Sequence, residues 1–224
     1  MQPTSTTLAD QVFTQVQQAI VQGRFTPGQR LSEAELSRNF GCSRVPLREA
    51  IRRLESQGLI TRIPHAGIRV ATLSADELLD IYWVRESLEG LACRLAAQHM
   101  PADMLRSLRG VLESHDHTIR KAQGMSYYQS EGDFDFHYLI AKGSGNRRLY
   151  EMLCGDLYHR VRMYRFKVST IEGRPDLAFR EHTRIVDALE QRDGEVAELL
   201  MRRHIAAART TIEKALSEGR LILN

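Results

Sequence analysis

Residues 32–70 read SEAELSRNFGCSRVPLREAIRRLESQGLITRIPHAGIRV, and the spacing of their capping, apolar and turn residues predicts two short helices and a hairpin. Ser32 and Glu35 form a Ser-x-x-Glu capping box, with Ala34, Leu36 and Phe40 available for a core and Gly41 ending the helix. The next helix takes Ser43 as its N-cap. It accepts Pro46 in the first turn, where amide donors have no partner anyway, and runs to Gln57 before Gly58. Two helices joined by so tight a turn make a helix-turn-helix. On the second, Leu47, Ala50, Ile51 and Leu54 form an inward stripe, whereas Arg44, Arg48 and Arg52 recur every four residues along an adjoining face.

On the far side, Leu59–Ile63 and Ile68–Val70 are β-rich runs around Pro64, His65, Ala66 and Gly67, which predicts a wing. Upstream, Leu8, Val12, Val16 and Ile20 repeat at helical spacing as far as Gly23, and Pro27-Gly28 marks a turn. This order of elements suits a winged helix-turn-helix that lays its second helix in a DNA major groove. Arg44 or Arg48 would fork onto guanine O6 and N7, and Ser43 would bond a phosphate. Arg52 lies on the same face. Arg62, His65 and Arg69 would approach the minor groove or flanking phosphates, with Gly67 giving positive φ or close backbone approach.

Charge follows the same division. Residues 1–70 hold nine Lys/Arg against five Asp/Glu, and the remaining twenty-two against twenty-three complete the totals of 31 and 28. A basic first unit on a neutral second one points to a polyanion partner for the first. No apolar run reaches the ~18 residues that span a bilayer, and Met1–Asp10 lacks the pattern of a signal peptide, so the expected location is the cytoplasm. Cys42, Cys93 and Cys154 are odd in number and widely spaced, which reads as reduced thiols.

Beyond the wing, Ser74 and Glu77 form a second capping box, and helical patterns follow at about 75–98, 101–123, 126–142, 146–167, 175–191 and 195–217. The fold class is therefore mainly α: a winged helix-turn-helix at 1–72 and an antiparallel all-α bundle at 73–224. Asp133 and His137 leave one helix face together at i and i+4, and His182 and His204 sit on apolar faces of two other helices. Converging in a bundle, they would suit a divalent transition metal, zinc first and nickel, manganese or iron as alternatives, with positions left for an exogenous ligand. Arg85 falls in the apolar stripe of Leu78, Tyr82, Leu88, Ala92 and Leu95, where a charge needs a partner. Glu89, one turn on, is one such partner.

Nearly all of residues 8–70 resemble the DNA-binding domain of the GntR family of bacterial regulators. The likeness is carried by Pro27-Gly28 with Leu31, by Ser43-Arg44-x-Pro46-x-Arg48-Glu49-Ala50, by Leu54-Glu55 before Gly58-Leu59, and by Gly67. It implies DNA contacts from Ser43, Arg44 and Arg48; Ala34 stands where some relatives carry arginine, so that contact is lost. The segments GDFDFHYLIAKGSGN, REHTRIVDALEQRD and MRRHIAAAR resemble the FCD-type effector domain of the FadR branch. Metal-binding members of that branch carry one aspartate and three histidines, which this resemblance places at Asp133, His137, His182 and His204. It also implies that Arg85 engages an effector carboxylate beside the metal.

The reading expected from these features is a homodimeric transcriptional regulator that binds a pseudo-palindromic operator on double-stranded DNA. A small carboxylate effector, bound at or near the metal, would control its affinity. Two alternatives stand beside it. One is a metal-dependent enzyme fused to a DNA-binding domain, which lacks a His-Glu-x-x-His type of general base. The other is a constitutive architectural protein with a structural metal.

Overall fold

The computed structural model describes residues 7–21, 23–63, 67–121, 136–157, 161, 164, 174–221 and 223. The chain divides into two compact units, Met1–Leu73 with Leu223–Asn224, and Ser74–Ile222.

In the first unit, α1 (Leu8–Val21), α2 (Glu33–Asn39) and α3 (Arg44–Ser56) pack beside a small sheet of β1 (Arg30–Leu31), β2 (Ile60–Ile63) and β3 (Gly67–Val70). The sheet order is β1-β3-β2 and both pairings are antiparallel, with Ile60 opposite Val70 and Leu31 opposite Ile68. Val12, Val16 and Ile20 of α1 meet Leu47, Ile51 and Leu54 of α3 in a core closed by Leu36, Leu59 and Ile68. Outside this core, Arg53 ties α3 to α1. Its guanidinium donates to Asp10 Oδ1 at 2.6 Å and lies 4.2 Å from the centre of the Phe13 ring.

Helix ends follow the expected chemistry with two departures. Leu59 N–H donates to Leu54 C=O and Gly58 N–H to Glu55 C=O, a Schellman closure of α3 in which Gly58 takes φ +65°. Ser32 caps α2 by accepting from Glu35 N–H at 3.1 Å, yet the exposed Glu35 carboxylate makes no return bond, so only half of the expected box forms. Ser43 occupies the cap position of α3, but its hydroxyl caps no amide. Gly67 opens β3 at φ +83°, where an added Cβ would also stand 3.4 Å from Leu31 C=O.

In the second unit, α4 (Ala75–His99), α5 (Ala102–Lys121), α6 (Phe136–Gly143), α7 (Arg147–Met152), α8 (Arg174–Glu190) and α9 (Gly194–Ser217) form the bundle. Here the capping box of α4 is complete, with Glu77 N–H donating to Ser74 and Ser74 N–H to Glu77. α4 is the central element, packed on α9 and α6, while α5 lies on α8. Gly90 allows the close approach of α4 and α9, since a Cβ there would stand 2.7 Å from Arg202 Cγ. The single helix expected over 146–167 is interrupted by a π-helical turn, Leu153–Leu157, which widens the ladder after α7. Of the helix expected over 126–142, the described part begins at Phe136. No helix among the described residues is long and apolar enough to cross a membrane.

Two outcomes follow from this packing. Leu54 is fully buried, so Leu54→Ala should cost the first unit about 2–5 kcal/mol in urea unfolding. Thr7 and Arg53 hold the Asp10 carboxyl down at about 2. Between that value and the ordinary 3.8 the unfolded chain binds the proton and the folded one does not, so this stabilisation is present above pH ~4 and is lost as pH falls through ~2. Asp10→Asn should therefore lower the unfolding midpoint at pH 7, and its difference from the wild type should shrink across that window.

Candidate nucleic-acid interface and metal centre

The inward stripe of α3 leaves its other face in water. Arg44, Arg48 and Arg52 are exposed there, as is Val45. Arg52 faces Glu49 at 3.5 Å, and Arg48 donates from Nε to Glu33 Oε2 at 3.2 Å. From β2, Arg62 stands 3.7 Å from Glu33 and 3.8 Å from Glu55. Arg69 of β3 donates to Gly28 C=O at 2.8 Å. A cleft between α2 and α3 is lined by Glu33, Ala34, Ser37, Arg38, Arg44 and Arg48. Of its arginines, Arg48 is held by a partly exposed ion pair, which water and phosphate displace readily. Ser43, Arg44, Arg48, Arg52, Arg62 and Gly67 are thus all at the surface of the first unit. His65 lies outside the described residues.

In the second unit, His137 of α6, His182 of α8 and His204 of α9 come together although up to sixty-seven positions separate them in the chain. All three are buried, and their donor nitrogens lie within 4.8 Å of one another. His182 Nε2 and His204 Nε2 are 3.2 Å apart. Two imidazoles on one tetrahedral zinc, each at about 2.0–2.1 Å, place their nitrogens about 3.3 Å apart, so this spacing fits a shared ion. Phe136 stacks on the His182 ring at 4.0 Å and 18°. Asp133 lies outside the described residues.

What surrounds the histidines is as specific as the cluster. His204 Nδ1 is 2.6 Å from Glu181 Oε2, and Arg174 donates to the same oxygen at 2.8 Å. On the opposite side, His137 Nδ1 bonds Glu89 Oε2, while Arg85 Nε donates to Glu89 Oε1 at 2.7 Å. Two histidines are therefore each oriented through Nδ1 by a carboxylate that an arginine holds in turn. This arrangement fixes the ring and turns Nε2 toward the cluster. Burial depresses the His204 imidazole to about 4, against the raising effect of Glu181, and the neutral ring is the form that ligates a metal.

Arg85 thus takes Glu89 as a partner, the plainer of the two expectations, and its guanidinium also lies 4.7 Å from the centre of the Tyr82 ring. Sequence reasoning paired Glu89 with Arg85 but missed that the same carboxylate orients His137. It missed Glu181 and Arg174 altogether. The available signal was slight: Glu181 precedes His182 and leaves α8 in another direction, and only the packing of α9 brings His204 to it.

Comparison with known proteins agrees with this architecture. Residues 8–70 match the family described as bacterial regulatory proteins, gntR family, and residues 80–207 match the FCD domain. The chain is 30% identical over 212 residues to the uncharacterized HTH-type transcriptional regulator YdhC of Bacillus subtilis, covering 94% of this chain and 93% of that one. It is 31% identical to the probable D-xylose utilization operon transcriptional repressor of Paenarthrobacter nicotinovorans, covering 91% and 88%. Among solved structures, Escherichia coli McbR/YncC superposes with a TM-score of 0.78 at 22% identity, covering 94% of this chain and 99% of that one, a likeness of fold. The chain belongs to the GntR family of DNA-binding transcriptional regulators, which are not enzymes, and carries an FCD effector-binding domain behind its helix-turn-helix.

Proposed function

We propose that this regulator is a metal-assisted sensor of a small carboxylate, with residues 1–72 reading DNA and residues 73–224 binding effector and pairing the subunits. The observation that carries this reading is the buried triad of His137, His182 and His204, two of whose rings are oriented by carboxylates. A carboxylate on Nδ1 is a common companion of a metal-ligating histidine, since it fixes the tautomer and the ring orientation. Imidazole nitrogens at this spacing fit zinc first, with nickel, manganese or iron as the other candidates. Asp133 is the proposed fourth ligand. When bound, the ion supplies a Lewis-acidic position for an effector oxygen.

Arg85 is the proposed effector contact. Among the described residues its hydrogen bond is made through Nε, which leaves the terminal amino groups of the guanidinium to fork onto a carboxylate. A hydroxy acid, a di- or tricarboxylic acid, or a sugar acid fits an arginine beside an open metal position. The protein acts as a cytoplasmic homodimer, since one helix-turn-helix spans too few base pairs for specificity and two related by a two-fold axis read a pseudo-palindrome. Ser43, Arg44, Arg48 and Arg52 enter or flank the major groove, and Arg62, His65 and Gly67 of the wing meet the adjacent backbone. Effector changes operator affinity to the extent that it binds one dimer geometry better than another.

Thermal unfolding tests the sensor reading. The protein is melted as isolated, after chelation and with zinc or nickel restored, against a panel of small carboxylates. A ligand at 100 times its Kd adds ~2.7 kcal/mol and should raise the midpoint by roughly 5–10 °C, only when metal is present. Metal stabilisation without any carboxylate response would make the ion structural. For the DNA face, Arg48→Ala should cost about 1–3 kcal/mol on a selected operator, and unchanged affinity would remove that residue from base reading.

A further inference from the structure

The carboxylate of Glu33 stands among the arginines of the DNA-reading face, where a negative charge opposes binding to any phosphate backbone. Glu33 is the first residue of α2, and its side chain is 31% exposed. Its two oxygens are divided between arginines from different elements: Oε2 accepts from Arg48 Nε of α3 at 3.2 Å, and Oε1 lies 3.7 Å from Arg62 of β2. Arg48 and Arg62 are themselves 59% and 47% exposed, so these pairs add little to fold stability. Their effect is on where two long cationic side chains point, and on how much positive charge the face presents.

We propose that Glu33 is a selectivity residue, an internal anion that offsets the charge of Arg48 and Arg62 toward phosphate while holding Arg48 through Nε, so that its terminal amino groups are left to fork onto a matching base edge. The inference rests on the reading of Arg48 as a base contact. Attraction between arginine and phosphate is the same on every sequence, so each uncompensated cation strengthens binding to all DNA alike. A carboxylate shared by two arginines lowers that uniform term. Glu33 takes Arg48 through Nε, so the terminal amino groups can fork onto guanine O6 and N7 without breaking that bond. On a wrong base the fork finds no partner, while pairing with Glu33 keeps Arg48 from strengthening the uniform phosphate term. Glu33 therefore weakens non-specific binding more than specific binding, and holds the Arg48 fork in place between encounters.

The test uses the full-length protein with two duplexes of equal length, one selected in vitro on the wild-type protein and one of random sequence, titrated at several KCl concentrations. Glu33→Gln keeps the size of the side chain and removes its charge. Glu35→Gln removes the same charge from the same turn of α2, at an exposed carboxylate that makes no ion pair among the described residues. Glu33→Gln should tighten the random duplex about fivefold at low salt, the weight of an exposed ion pair. It should steepen the plot of log K against log salt by about one for each added phosphate contact, and leave the selected duplex within about twofold. Glu35→Gln should shift both duplexes equally and slightly. Identical behaviour of the two variants overturns the proposal. So does a Glu33→Gln variant that weakens only the selected duplex, which would make Glu33 a direct acceptor from a base. Arg48→Ala separates the levels: if it changes neither duplex, the reading of the face itself fails and this proposal with it. If Arg48→Ala weakens the selected duplex while the Glu33 and Glu35 variants coincide, the face stands and Glu33 has no selective role.

Discussion

Three imidazoles, two arginines and a carboxylate lie buried in the FCD domain, and their desolvation is the constraint around which that domain is arranged. His137, His182, His204, Arg85, Arg174 and Glu89 are all almost fully excluded from solvent. Each such group costs several kcal/mol unless its hydrogen-bonding and charge are answered locally. The answer is two opposed relays, Arg85 to Glu89 to His137 from α4 and α6, and Arg174 to Glu181 to His204 from α8 and α9. Both relays end on the same point. Removing a member takes one hydrogen-bond partner from a buried or half-buried neighbour, so the helices are tied to one register by the polar site as well as by their apolar contacts.

The DNA-reading face obeys the opposite rule. Arg48, Arg52 and Arg62 meet glutamates at 3.2–3.8 Å in partly exposed pairs. Such contacts are weak and exchangeable, which suits a surface that must trade internal partners for phosphates and base edges. The rigid part lies behind them, where Leu47, Ala50, Ile51 and Leu54 seat α3 in an apolar core and the Schellman closure at Gly58 sets the entry to the wing. A firm scaffold under loosely held cations keeps the position of the reading helix constant while its side chains remain adjustable.

Legibility in the sequence tracked the range of the interaction. Local signals carried through: the cap at Ser32, the full box at Ser74 and Glu77, the buried stripe of α3, and a glycine at positive φ where β3 begins. Where a side chain had a choice of partner, local reasoning was less secure. Glu35 turns to water instead of returning its bond to Ser32, and the Ser43 hydroxyl caps nothing. The π-helical turn at Leu153–Leu157 had no periodic signature, because one extra residue in a turn barely alters an apolar pattern.

The sequence by itself determined the elements, their order, the family and the residue types of the candidate centre, because caps, periodicity and motif spacing are properties of neighbouring residues. Only the tertiary structure decided which groups meet. Glu181 reaches His204 across twenty-three positions, and Glu89 reaches His137 across forty-eight. Glu33 likewise joins Arg48 and Arg62, which belong to different elements. The physical reason is that burial and pairing depend on how helices cross and how closely they approach, as Gly90 permits for α4 and α9, and a one-dimensional pattern carries no measure of either.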